Sequence, residues 1–440
     1  MVERAIGESL RLLGKIASSP ALERLGVSGS IEKLLYRGSK TAVSAAQEAL
    51  KRARPVVKLL EPERMKGEGA GEPERPSLFD LTLTESQELV RDTMVSFAKE
   101  RLAPAALHAD ESSEPPEGLL QEAHELGLTQ LAVPEKLGGA GESRSMVTNV
   151  LVAEDLARGD MGLALGALAP VSVVHALVDW GTAEQQGSYL PAFVGEKFYP
   201  AALALLEPRP LFDPHHLATR ASLNGGDYVI SGEKSLVPLA VDSELLLVLA
   251  DLAGKPQAFI VERGTQGLSI EAEPSMGLRA AKLGRVRLDH VRVPKANRLG
   301  GEEGIDAERL IDLSRIGWGA LSLGTCDAVL NYTKQYVKDR QAFGEPVAWR
   351  QSVAFAVADI ALELDAMRLM VYRAASRAEQ GKSFRREAQL ARIQCADKGM
   401  QIGTNGVQLL GGHGFIKEHP VELWYRQLRG VGIFEGAILV

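Results

Sequence analysis

The feature that most constrains this chain is a double change of hydrophobic period. From about residue 79 to 198 apolar residues recur at helical spacing, from about 199 to 305 they fall into short runs bounded by turn signals, and from 306 onward the helical spacing returns. One face of a helix repeats every three or four residues and one face of a strand every two, so such a chain builds helices, then a sheet, then helices again. The first block opens on Thr84 and Gln87, a capping box, with Val90, Met94 and Phe97 along one helix face. Pro115-Pro116 and the loop from Val133 to Gly141 interrupt it. The second block reads as the strands YVISG, SELLLVLA, QAFIVE and LSIEA, separated by Asn224-Gly225-Gly226-Asp227 and Gly254-Lys255-Pro256. Between Arg285 and Val293 the alternation Val286, Leu288 changes register to Val291, Val293, which predicts a bulge or turn near Asp289-His290 before Pro294 ends the strand.

The start of the chain is a separate matter. Its first 60 residues carry 11 Lys/Arg against 5 Glu, a balance of +6, so the remainder must sum to -13 to give the total of -7. Leu10, Leu13 and Ile16, then Ile31, Leu34 and Leu35, recur at helical spacing, so residues 1–61 read as a basic amphipathic extension suited either to peripheral contact with an anionic membrane through residues 1–60 or to docking on the rest of the protein. Residues 62–78 are rich in Gly, Pro and Glu and read as a linker. The remaining divisions are a helical domain at 79–198, a β domain at 199–305 and a helical bundle at 306–440.

Several classes of function are excluded. The acidic balance gives no footprint for nucleic acid. Cys326 and Cys395 are too few for a disulfide framework, which suits a reducing compartment: the cytoplasm of a bacterium, or the mitochondrial matrix of a eukaryote. No run is read as long enough for a membrane span. No phosphate-binding P-loop, GxGxxG turn, GxSxG elbow or HExxH helix is present, and the lone pair His215-His216 lacks companions for a metal, so no metal is expected.

What remains is a series of short segments: Val133 to Gly141, Glu207-Pro208, GDYVISGEK from Gly226 to Lys234, the strand ending at Pro294, Arg340-Gln341-Ala342-Phe343-Gly344, Gln408-Leu409-Leu410-Gly411-Gly412-His413-Gly414-Phe415, Tyr425-Arg426 and Ile433-Phe434-Glu435-Gly436. In this order they resemble the acyl-CoA dehydrogenase family over about residues 80 to 437, and the phrases near the end look nearest to its long-chain and very-long-chain branch. The resemblance implies an α+β fold with an N-terminal helical domain, a central β-barrel or sandwich and a C-terminal four-helix bundle. It implies FAD as cofactor, a fatty acyl-CoA as substrate of β-oxidation, electron-transfer flavoprotein as electron acceptor, and a homodimer or homotetramer with the FAD site across a subunit interface.

By the same resemblance Glu435 is the base that takes the α proton, its own N–H helping to hold the thioester oxygen, while the β hydrogen leaves as hydride. A positioned carboxylate and a polarised carbonyl are what such a step needs. Desolvation of Glu435 would raise its proton affinity. Arg315 matches a substrate-contacting arginine; Arg340, Phe343, Gly344, Gln408, Gly411 and Gly412 match the residues around the cofactor's diphosphate. Some family members carry the base just before the helix arginine, but this chain has Ser314 there.

The chain departs from the pattern where the flavin ring should bind. Leu206 replaces a hydroxyl residue, Leu211-Phe212 replace Gly-Ser, Leu236 replaces a tryptophan, Pro238 replaces a second hydroxyl and Ala437 stands where threonine is usual. Two readings follow: an active dehydrogenase with altered flavin contacts, or a degenerate half-site subunit working in a hetero-oligomer with an intact paralog.

Overall fold

The computed structural model describes residues 82–141 and 144–440. The basic extension and the linker read from the sequence lie outside the described residues. Thr84 caps the first helix, α1 (Glu85–Phe97), through the expected box with Gln87, and Met94 and Phe97 turn inward. The helix continues through a π turn at Ala98–Leu102 into α2 (Ala103–Ser112). Then come α3 (Leu119–Glu125), α4 (Leu128–Ala132), α5 (Met146–Ala157), α6 (Met161–Trp180) and α7 (Ala183–Phe193).

The expectation that no run suits a membrane span is corrected by α6. This 20-residue helix is long and apolar enough to cross a membrane, with a mean hydropathy of 1.9 over an 18-residue window, yet 94% of that window is buried inside the protein. It is apolar all round because other elements pack on every side of it.

Seven strands form one sheet: β1 (Ala201–Ala204), β2 (Arg220–Asn224), β3 (Asp227–Val237), β4 (Leu245–Leu252), β5 (Lys255–Glu262), β6 (Leu268–Ala272) and β7 (Gly284–Pro294). β4 pairs antiparallel with β5 on one side, and on the other runs parallel to β1 at its start and β2 at its end. β2, β3, β7 and β6 continue antiparallel. Rather than two stacked sheets, this is one sheet curled on itself, because Tyr228 of β3 meets Phe259 of β5 edge to face at 5.1 Å although the strands are not neighbours. Leu246, Val248 and Ala250 point into that enclosed core, while Leu245, Leu247 and Leu249 join the core of the helices. β4 is therefore apolar on both faces, which explains the unbroken run in the sequence. The bulge falls where the alternation placed it. Ile230 pairs with Val291 and Gly232 with Leu288, leaving Asp289 and His290 opposite Ser231 alone.

The last part is a four-helix unit: α8 (Ala307–Asp339), α9 (Gln351–Glu379), α10 (Arg385–Leu410) and α11 (Val421–Val431). A hairpin of β8 (Gln341–Ala342) and β9 (Glu345–Pro346) joins α8 to α9. α8 packs against α5, α9, α10 and α11, and so ties the first helical block to the last.

Candidate active site

α11 ends in a tight turn where the N–H groups of Ile433 and Phe434 both donate to the Gly430 carbonyl, at 2.8 and 3.0 Å. The next two N–H groups, of Glu435 and Gly436, donate to nothing among the described residues. Gly436 has φ +75°, its carbonyl accepts from Ser314 Oγ (2.9 Å) and Trp318 Nε1 (2.8 Å), and a Cβ here would lie 2.6 Å from that of Leu205. Both the backbone angle and the space require glycine. Phe434 is buried against Trp318 with ring centroids 4.8 Å apart, and its carbonyl accepts from Arg392 Nη2 at 2.6 Å.

These contacts aim the Glu435 carboxylate between two arginines. Arg315 Nε lies 3.4 Å from Oε2 and Arg392 Nε 3.8 Å from Oε1, with the three side chains only 14%, 11% and 9% exposed in the order Glu435, Arg315, Arg392. Arg315 also reaches Asp312 Oδ1 at 3.4 Å. Burial raises the Asp312 carboxyl to about 6 against the opposing pull of Arg315. Burial likewise lowers the Arg392 guanidinium, partly offset by Glu435. The surroundings of Glu435 are thus ionic rather than the purely desolvated pocket expected from the sequence. Glu435 Oε2, Arg315 Nε and Arg392 Nη1 are buried without hydrogen-bond partners. Arg315 Nε and Glu435 Oε2 still face each other as an ion pair, which leaves Arg392 Nη1 as the buried donor here without a partner.

The segment after β1 and the end of β3 border the same place. Leu205 packs on Gly436; its neighbour Leu206 accepts a hydrogen bond from the Ser235 N–H at 2.9 Å, so the two departing segments of the sequence meet. Lys234 is fully buried, donates to the Leu205 carbonyl (3.0 Å) and pairs with Glu207 (2.9 Å). Burial pulls the Lys234 ammonium down to about 8, with Glu207 opposing. Burial pushes Glu207 up, but Lys234 and the N–H groups of Thr219 and Ala218 outweigh it and hold its carboxyl below the usual range. Leu206 and Leu236 bring no side-chain donor to this edge.

Ala437 to Val440 are buried, each at most 4% exposed. The Leu439 N–H donates to Ser172 Oγ (2.9 Å), the Leu439 carbonyl meets His175 Nδ1 (3.1 Å), and Arg144 reaches the Val440 carbonyl. A Cβ on Gly317 would lie 3.0 Å from Ile438 Cγ2, so α8 approaches closely there. The segment fills the apolar space between α6 and α8 beside Glu435.

The remaining residues singled out in the sequence lie at the other end of α8. Arg340 makes no ion pair or side-chain hydrogen bond among the described residues and shares a cavity of about 410 Å³ with Tyr332, Gln335, Tyr336, Asp339, His413 and His419. Phe343 and Gly344 form the two-residue turn of the β8–β9 hairpin, with φ of +56° and +82°. A left-handed phenylalanine is unusual, and this one is 96% exposed beneath Arg350. Gln408 is exposed in the last turn of α10, and its carbonyl accepts from the Gly411 N–H. A Cβ at Gly411 or Gly412 would meet nothing within 4 Å, so both face open space. Glu435 with Arg315 and Arg340 with the glycine loop are therefore two groups. Arg315 and Arg340 stand 25 residues apart on one helix, about 37 Å at 1.5 Å per residue. Sequence reading missed Arg392, Asp312 and Trp318. Trp318 and Asp312 sit three residues either side of Arg315, a spacing that a search of that helix face would have found, whereas Arg392 arrives from another helix with no local signal.

Profiles of the acyl-CoA dehydrogenase N-terminal, middle and C-terminal domains match residues 84–197, 202–291 and 304–439. The short-chain specific acyl-CoA dehydrogenase of Bos taurus mitochondria is 32% identical over 81% of this chain and 88% of its own. The solved butyryl-CoA dehydrogenase of Megasphaera elsdenii superposes with a TM-score of 0.75 at 30% identity, covering 81% of this chain and 96% of that one. The FAD complex of PigA superposes with 0.74 at 25% identity, covering 81% and 96%. The chain belongs to the acyl-CoA dehydrogenase family. Two of these relatives are named as a short-chain specific and a butyryl-CoA dehydrogenase, and none as a long-chain enzyme, so the leaning toward the long-chain branch drawn from the final motifs finds no support in them.

Proposed function

We propose that the chain is an active FAD-dependent acyl-CoA dehydrogenase, with Glu435 as base and a short or branched acyl group as substrate. The observation that carries this is the buried Glu435 carboxylate, 3.4 Å from Arg315 Nε and 3.8 Å from Arg392 Nε, beside the N–H groups of Glu435 and Gly436, which donate to nothing among the described residues. Glu435 takes the proton from the α carbon; those N–H groups donate hydrogen bonds to the thioester oxygen; Arg315 and Arg392 hold the carboxylate in line and favour the negative charge that develops on the substrate. FAD, when bound, supplies the acceptor for the β hydride, and the carbon–carbon double bond of trans-2-enoyl-CoA forms as both bonds to hydrogen break. Electron-transfer flavoprotein is the expected acceptor from the family.

The residues present fit FAD unevenly. At the diphosphate side Arg340 is an unpaired cation and Gly411 and Gly412 leave room for a ligand to approach their backbone. At the ring side Leu206 and Leu236 leave hydrogen bonding to the backbone. Because about 37 Å of helix separates Arg315 from Arg340, one bound dinucleotide does not reach both groups within a chain. Arg340 then serves the cofactor of a second copy. Phe355, Leu362 and Leu369 support such an assembly: they are spaced seven apart on α9 and 59%, 68% and 48% exposed, an apolar stripe that a partner helix would cover.

Room for the acyl chain beside Glu435 is limited by Ala437 to Val440, which supports short substrates over long ones. The reducing compartment and the membrane contact of residues 1–60 stand as parts of the same proposal. Leu206, Leu236 and Pro238 favour the second reading, a half-site subunit paired with an intact paralog. Equilibrating the purified protein with FAD and adding butyryl-CoA or palmitoyl-CoA without oxygen separates them. Bound flavin bleached by butyryl-CoA is expected; no bound flavin at saturating FAD would refute stand-alone activity.

A further inference from the structure

At the Arg340 end of α8, Tyr332 and Tyr336 stand one turn apart and each engages a histidine from the segment before α11. Tyr332 Oη lies 2.6 Å from His419 Nδ1, and Tyr336 Oη 2.7 Å from His413 Nδ1. The two imidazoles stack with centroids 5.2 Å apart and planes 17° from parallel, and both tyrosines meet them edge on. With Nδ1 occupied on each ring, Nε2 has no hydrogen-bond partner among the described residues. A ring whose Nδ1 accepts from a tyrosine hydroxyl carries its proton on Nε2, and a protonated ring carries one there as well. Both rings therefore offer N–H donors beside the unpaired guanidinium of Arg340, in the cavity they share. The other charged groups of this region are Asp339, which accepts from Gln335 at 2.8 Å, Lys417, which pairs with Glu111, and the exposed Glu418.

Two stacked imidazoles repel when both are charged, and an anion facing them relieves that repulsion. We propose that His413 and His419, locked by Tyr336 and Tyr332, bind the diphosphate of the dinucleotide together with Arg340, and that their protonation couples FAD affinity to pH. This rests on the reading that the cofactor's diphosphate lies against Arg340. The linkage is one of sign: a ring that gains a negative partner holds its proton more tightly, so affinity rises as pH falls.

The test is the dissociation constant of FAD, read from flavin fluorescence at about pH 6 and about pH 8, for the wild type and for His413→Asn with His419→Asn. One proton held tighter by about one pH unit gives about tenfold tighter binding at the lower pH. The double variant should bind with one constant at both, near that of the wild type at the higher pH. Either single variant should lose part of the response, which keeps the test open if the double variant does not fold, and Asp339→Asn should keep it. A wild type that binds FAD equally at both pH values, or variants that retain the full response, would overturn the histidine proposal alone. A wild type that binds no FAD would overturn it together with the cofactor reading beneath it.

Discussion

Replacing Ile438 by alanine should lengthen the acyl chain that this enzyme accepts. The side chain is 1% exposed and lies against Gly317 of α8, within the segment that fills the space beside Glu435. Truncation removes three carbons from an apolar wall, and each methylene buried by a substrate contributes about 0.8 kcal/mol. A substrate two to three carbons longer than butyryl-CoA would thus gain about 2 kcal/mol in the transition state, about 30-fold in kcat/KM relative to butyryl-CoA. The same truncation costs the free protein about 2 to 5 kcal/mol, because the cavity collapses only in part. The assay is kcat/KM for butyryl-, hexanoyl- and octanoyl-CoA with an artificial electron acceptor, beside a denaturant midpoint for both proteins. Reduced stability with an unchanged ratio of rates would show that Ala437 to Val440 do not border the acyl pocket and would refute the reasoning.

Leu362→Glu should place a charge in the centre of the apolar stripe on α9, weaken self-association by more than about 2 kcal/mol and loosen FAD with it; light scattering and flavin fluorescence read the two effects. His175 is fully buried and burial holds its imidazole well below the usual value. The unfolded chain takes up a proton below about pH 6.5 that the folded chain refuses, so this contribution is present above that pH and lost below it. His175→Gln should flatten that loss in urea midpoints taken at about pH 7.5 and 5.5. Asp155 and Asp160 work in the opposite sense, since burial raises both to about 6 and their contribution is lost as pH rises through that value. The variant must therefore be compared with the wild type at each pH; an identical pH dependence would show that His175 is not the group responsible.

Local chemistry carried much of the fold into the sequence. The capping box at Thr84, the alternation in β3 and β7 and the bulge at Asp289-His290 all depend on residues a few positions apart, and all stand as expected. β1 leaves no alternating signal in the sequence because Ala201 to Ala204 are all buried. α6 reads like a membrane span because burial within a protein and burial in lipid select the same composition. At the site, Glu435 and Arg315 were legible from short motifs, and they do meet. Arg392 was not, since its place beside Glu435 depends on how α10 packs against α8 and α11. The meeting of Leu206 with Ser235 and the packing of Ile438 on Gly317 are likewise long-range contacts with no local pattern.

The central claim is that Glu435 removes the α proton, and its most direct test is anaerobic bleaching of bound flavin by butyryl-CoA, followed by stopped flow in the wild type and in Glu435→Gln. The amide keeps the size and loses the base, so the account predicts equal flavin content and a bleaching rate lower by about a hundredfold to ten-thousandfold. A Glu435→Gln protein that binds flavin and bleaches at the wild-type rate would contradict it.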